Sequence, residues 1–426
     1  MSAVRAVRTV VFWLHLSVAV AAGAVIIIMS ATGVLLAYQK PVLSMVAARH
    51  RVAAPANGAR LPLDSIVARV PSAPDTASVA SITVSNDGTL PLTVGLSDRR
   101  SVFVDPYSAR VLGSDEATRG FFQSVERWHR SLAIGLGTRS KIGTTITGMV
   151  NIAFLFLVVS GFFLWWPRRW TPRAFAAVLF FRRRAHGRQR LWNWHHVLGF
   201  WAAPVLFLIV SSAVFMSYTW PQQAVARLVG VPTGSSGGGA GGAKTGAKTG
   251  ASRGQARGEH RPRASLDTLI AHVAPRAGWE TIQLRLPQAG ARTAAVTVSY
   301  GATGRPDRRD QITLDASTAA VMPSQGYNDY DPARKIRAWA RPIHTGEAGG
   351  IIGETIVALA ASAAVVLGFT GLLLAFRRLR SRSGRSRGPG SRLEVDVLEL
   401  TELEAERPEL VVTVAQVGLE LRRASS

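Results

Sequence analysis

Residues 191–218 read LWNWHHVLGFWAAPVLFLIVSSAVFMSY, an apolar stretch with two adjacent histidines at its entrance. A histidine at the edge of a membrane span is costly unless something binds it, so it marks a candidate functional site. The arrangement occurs twice. His15 lies 18 residues before Gly33 of the Thr32-Gly33 pair, and His195 lies 18 before Ala213 of the Ser212-Ala213 pair, an offset of 180. On this spacing the chain is expected to be a duplication.

Working outward, residues 10–38, 143–166, 194–218 and 351–376 are each apolar for at least the roughly 20 residues that cross a bilayer core. The hydrophobic content of 47% fits a soluble or a membrane protein; its concentration in these spans decides for the membrane. The expected fold is an integral membrane α-helical protein with four transmembrane helices in two tandem repeats.

The net charge of +24 gathers beside the spans. Arg5 and Arg8 precede the first, eight arginines from Arg168 to Arg190 crowd the short loop 167–193, and Arg377, Arg378, Arg380 and Arg382 follow the fourth. The positive-inside rule then places residues 1–9, 167–193 and the tail 377–426 in the cytoplasm. Such arginines read as topology signals and lipid head-group contacts, not as a nucleic-acid surface. With no cysteine there is no disulfide, thiolate metal site, iron–sulfur cluster or covalent c-type haem. Arg5 and Arg8 before an apolar run resemble a signal peptide, but the run continues to Tyr38, as in an uncleaved anchor.

Residues 39–142 and 219–350 are expected to be extracytoplasmic. In the first, LDSIVARV predicts a short helix, and SITVSNDGTLPLTVGL and RRSVFVDPYSARVLG predict strands. In the second, SLDTLIAHV, TAAVTVSY and DQITLDASTAAVM repeat that order, with Asp315 standing 210 residues after Asp105. Each segment is therefore expected to form its own small α+β module. Residues 232–261, rich in Gly, Ala, Ser and basic residues, are expected to be a flexible linker. Pro41 is expected to end the first helix. Parallel repeats of this kind place the functional site at their interface.

The chain resembles the PepSY-associated transmembrane proteins, which include iron-regulated membrane proteins and ferric-siderophore reductases of bacterial inner membranes. The resemblance covers roughly residues 10–378 and rests on the H(x)16[ST][GA] spans, WHRSL before the second span, LWWPRR after it, HHVLG at the third, HTGE before the fourth, and the DPYSARV and DASTAAV turns. It implies PepSY-like extracytoplasmic domains and, in the reductase members, two b-type haems held by membrane histidines. It also implies a bacterial inner-membrane location and a ferric siderophore as acceptor.

Apart from the resemblance, non-covalent haem needs two neutral imidazoles at matching depth, their other ring nitrogens held by acceptors. His15 and His195 each stand about 27 Å of helix before their small-residue motifs, which puts the pair near the cytoplasmic side. His129 and His344 precede the two helices that run inward, towards the outer side. From His129 to Gly161 is 32 residues and from His344 to Gly371 is 27, about 48 and 40 Å if fully helical. Both exceed a bilayer core, so these segments must bend, with Gly135, Gly137, Gly346, Gly349 and Gly350 as candidates.

The four are thus candidate axial ligands, against interhelical hydrogen bonds for His15 and His195 and interfacial snorkelling for His129 and His344. His196, some 100° round the helix from His195, is a candidate supporting residue. His50, His186, His260 and His272 are expected to be ordinary surface residues. Trp165, Trp166, Trp170, Trp192 and Trp194 suit an aromatic belt, Asn151 an interhelical hydrogen bond, and Glu347 and Glu354 either orient His344 or cap the fourth helix.

Histidine-ligated copper is the alternative to haem, and no metal beyond haem iron is expected otherwise. No nucleotide fingerprint or flavin domain is present, so the electron donor would be a quinol or a separate reductase protein. Two other functions compete. A small-solute or iron transporter would need buried carboxylates or broken helices at mid-membrane, and the interiors of the four spans are read as containing no Asp or Glu. A PepSY-type regulator of proteases would leave the membrane histidines replaceable. The tail after Ser381 suggests no function.

Overall fold

The protein is described by a computed structural model covering residues 3–55, 59–70, 78–135, 140–166, 171–231, 264–286, 291–301, 304–323 and 326–383. The expected linker at 232–261, Gly137, Arg168, Arg169, Trp170, His260 and most of the tail lie outside the described residues. Contacts group residues 1–375 into one compact unit and 376–426 into a second, whose described part is helical.

In chain order the first half comprises helices α1 (Ala3–Ala37), α2 (Gln39–Ala48) and α3 (Leu63–Arg69), strands β1 (Val79–Ser85), β2 (Leu92–Leu96), β3 (Ser101–Val104) and β4 (Val111–Ser114), then α4 (Glu116–Ser131) and α5 (Lys141–Trp165). After α6 (Pro172–Leu179) come α7 (Gly187–Ser217), α8 (Thr219–Leu228), α9 (Leu266–Ala271), β5 (Thr281–Arg285), β6 (Thr293–Ser299), β7 (Arg309–Asp315), β8 (Val321–Met322), α10 (Pro332–Thr345) and α11 (Gly350–Ser383). Four stretches are long and apolar enough to cross a membrane, Ala3–Ala48, Lys141–Trp165, Gly187–Ser217 and Glu347–Arg380, and the chain is a multi-pass membrane protein.

Three local expectations need correction. Pro41 does not stop the first helix: the chain turns at Tyr38 and restarts, and Pro41 sits in the first turn of α2, where its missing N–H costs nothing. The basic loop 167–193 contains helix α6, and α7 begins at Gly187. The fully buried Asn193 closes the turn between them, accepting from Arg182 N at 2.9 Å and donating to Phe180 O at 3.1 Å.

The third correction is larger, since the two α+β segments do not form separate modules. All eight strands of the described residues join one antiparallel sheet in the order β4-β3-β2-β1-β5-β6-β7-β8. The seam is β1 against β5, paired from Ser81↔Arg285 to Ser85↔Thr281. An unpaired edge would expose a row of backbone N–H and C=O groups, and pairing satisfies both edges at once. Alternate strand residues, among them Ile82, Val94, Leu284, Val296 and Leu314, form a single core with Ile66 of α3 and Leu266 and Leu269 of α9.

The two covering helices cap each other. Asp64 of α3 accepts from Leu266 N at 2.7 Å, and Asp267 of α9 accepts from Leu63 N at 2.8 Å. Each carboxylate thus satisfies a free amide at the other helix's start and complements its dipole. Asp64→Ala and Asp267→Ala are each expected to destabilise the sheet unit by about 1 kcal/mol. Amide exchange should quicken at Leu266 in the first and at Leu63 in the second. The two repeated turns match as well: Asp105 accepts from Tyr107 N and Asp315 from Ser317 N, both at 2.8 Å, with Ala109 and Ala319 left-handed at φ 59°.

Candidate functional site

The site is built from four histidines on four helices, each fastened to a neighbouring helix through Nδ1. His15 of α1 reaches Ser160 Oγ of α5 at 2.8 Å. His195 of α7 reaches Thr370 Oγ1 of α11 at 3.0 Å. His129 of α4 reaches Met29 O at 2.9 Å and Thr32 Oγ1 at 3.0 Å, both on α1. His344 of α10 reaches Ile209 O of α7 at 2.9 Å, with Ser212 Oγ at 3.4 Å.

These bonds determine the tautomer. A carbonyl can only accept, so Nδ1 of His129 and of His344 carries the proton. Ser160 and Thr370 direct their own hydroxyl protons to Phe156 O and Val366 O, at 2.6 and 2.8 Å, and so accept from His15 and His195. In all four rings Nε2 therefore keeps its lone pair, the arrangement found in metal-ligating histidines.

The hydroxyl residues belong to pairs whose second member is small: Thr32-Gly33, Ser160-Gly161, Ser212-Ala213 and Thr370-Gly371. A Cβ at Gly33, Gly161 or Gly371 would lie 3.4, 3.4 or 3.2 Å from Cε1 of His129, His15 or His195. The small residue seats the ring and the hydroxyl orients it. Sequence reasoning used these motifs only as depth markers. Their function was readable in the recurrence of a hydroxyl-small pair in each of the four spans.

His129 and His344 face each other with ring centroids 6.3 Å apart. A cavity of about 880 Å³ opens between their helices and the ends of α1, α5, α7 and α11, and both rings line it. Burial, with His344 beside it, pushes His129 down to about 4, and burial also lowers His344, so both are neutral at physiological pH. The bends that bring them here differ from expectation in detail. After α4 the non-glycine residues Leu132 and Ala133 are left-handed together with Gly135, and after α10 the turn is made at Gly346 and Gly350. Gly143 allows the start of α5 to press against Ser131 O, where any Cβ would clash.

His15 of α1 and His195 of α7 lie towards the N-terminal ends of those helices, away from this cavity. The ring of His196 stands 6.1 Å from that of His195, centroid to centroid. Its Nδ1 bonds Trp192 O at 2.9 Å on its own helix, and its ring stacks on Trp192 at 3.9 Å. Trp165 is not a belt residue: it is buried and stacks on Phe200 at 4.2 Å. Trp166, Trp192 and Trp194 are exposed, and Asn151 donates to Ser217 of α7 at 3.2 Å. Of the remaining histidines, His50 stacks on Phe103, His186 precedes α7 and His272 bonds Thr268 O.

Glu347 does not orient His344, whose Nδ1 is already satisfied; it pairs with Lys40 and, at 3.7 Å, with Arg341. Glu354, only 6% exposed, lines the cavity, so the fourth span does carry a buried carboxylate, near the start of α11. Among the described residues no three or more His, Asp or Glu side chains gather as a metal-ion site. The histidines offer donors in pairs, too few for a free ion that wants four to six ligands. A macrocyclic metal that needs only two axial ligands would suit the His129–His344 pair. Two metal–imidazole bonds of about 2 Å, with each ring's radius added, would space the centroids by about 6 Å, close to the observed separation.

No curated protein matches the chain. The four histidines and the sheet all fall within residues 12–378, over which the chain matches a family model, and the chain belongs to the PepSY-associated TM region family.

Proposed function

We propose that this protein is a transmembrane di-haem reductase, built as two tandem repeats, that carries electrons across a bacterial inner membrane to an extracytoplasmic acceptor such as a ferric siderophore. The observation that carries the reading is the shared tautomer: four half-buried imidazoles, each with Nδ1–H spent on a neighbouring helix and Nε2 free to bind iron. His129 and His344 would hold haem b at the sheet end, and His15 and His195 at the opposite end. Bound haem supplies one-electron carriers at two depths, which is what transfer across the bilayer requires.

The chain's own groups hold and insulate those carriers. Ser160, Thr370, Thr32 and Ile209 O fix the rings, and Gly33, Gly161 and Gly371 keep them seated. The matched caps, turns and strand order of the two halves support the tandem repeat. The basic residues beside the spans support cytoplasmic termini and lipid contact, with a quinol or a reductase protein as donor on that side.

The deciding experiment is an absorption spectrum of the detergent-solubilised protein, oxidised and dithionite-reduced, with a haemochrome count. About two b-type haems per chain are expected, and a colourless protein after expression with haem precursor would sink the reading. Thr370→Val removes the acceptor of His195 and keeps its size. It is expected to weaken haem binding at that site by roughly 10–100-fold, read as faster haem loss with the other site unchanged.

A further inference from the structure

We propose that Arg337 anchors a carboxylate of the group clamped between His129 and His344, so that this group lies with its acidic edge towards α10. The inference rests on the reading of that pair as a haem site. Arg337, Arg341 and His344 follow one another at four and three residues along α10, which stacks them on one helix face, and all three line the cavity.

The cations around this cavity are not alike. Lys40 and Arg341 are held by Glu347, and Arg130 bonds Glu126 at 3.0 Å. Arg337 has no carboxylate partner among the described residues, and its Nε is buried without any hydrogen bond. Arg337 as a whole is half-buried and lines the cavity, and the natural complement of a guanidinium's planar fork is a carboxylate. Haem brings two propionates. Across the cavity, α4 presents Glu126 and Arg130 beside His129, with Arg130 already spent on Glu126. The unspent positive charge therefore lies on the α10 side.

The test is haem loss from the full-length, haem-loaded protein in detergent to excess apomyoglobin, which should show two phases, one per site. R337Q is expected to quicken one phase by about tenfold or more, and R337K by less. The same protein loaded with haem whose propionates are esterified should lose it from that site as fast as R337Q loses haem, and R337Q should lose the ester no faster. R337Q phases identical to the unaltered protein, or equal quickening for haem and ester, would overturn the proposal. If R337Q does not fold, the ester comparison on the unaltered chain decides: equal loss of haem and ester overturns it. A chain that holds no haem at all defeats the underlying reading instead.

Discussion

His129→Ala is expected to reduce the haem count from two per chain to one and to slow reduction of a ferric chelate on the sheet side by more than about a hundredfold, the upper end of what losing even an outer-shell partner costs. The reason is local. The ring of His129 faces that of His344 at 6.3 Å across the cavity, and no other imidazole among the described residues lines it. His344→Ala should give the same loss, and the double variant no further loss, because the two act as one unit. His15→Ala should remove the other haem and leave this one. Two haems in His129→Ala, counted by haemochrome, would refute the assignment of the pair.

The second large effect concerns the sheet. Ile282 is fully buried in β5, pairs with Val84 across the seam and belongs to the common core. Ile282→Asp puts an unpartnered carboxylate among aliphatic side chains and is expected to cost about 4 kcal/mol or more. Because the core is shared, limited proteolysis should open residues 78–115 and 264–323 together. A first half that stays protected while the second is cut would mean that the halves are stable independently.

Much of the membrane architecture was legible because hydropathy over some 20 residues is a local signal, and it outlined all four spans. The histidines were legible because imidazole in apolar sequence is costly. What joins them was less so. That Ser160 serves His15, and that Thr370 serves His195, depends on which helix packs against which, and these residues lie 145 and 175 positions apart. The seam between β1 and β5 spans some 200 residues and has no marker within either strand. Each looked complete as part of a small module. The left-handed Leu132 and Ala133 escaped notice because such turns are usually made by glycine. Arg337 looked like one more arginine in a basic chain, and only the lack of a partner for its Nε distinguishes it.

The seam also bears on how the protein can move. Transport by alternating access needs one half of a repeat protein to rock against the other. Here five residue pairs, Ser81↔Arg285 through Ser85↔Thr281, fasten the halves together above the bundle, and the crossed caps of Asp64 and Asp267 add a second tie. Rocking would have to shear that ladder. On the electron-transfer reading proposed above, a chain held in this way would serve as a rigid mount, its cargo passing by tunnelling between fixed stations and not by being carried.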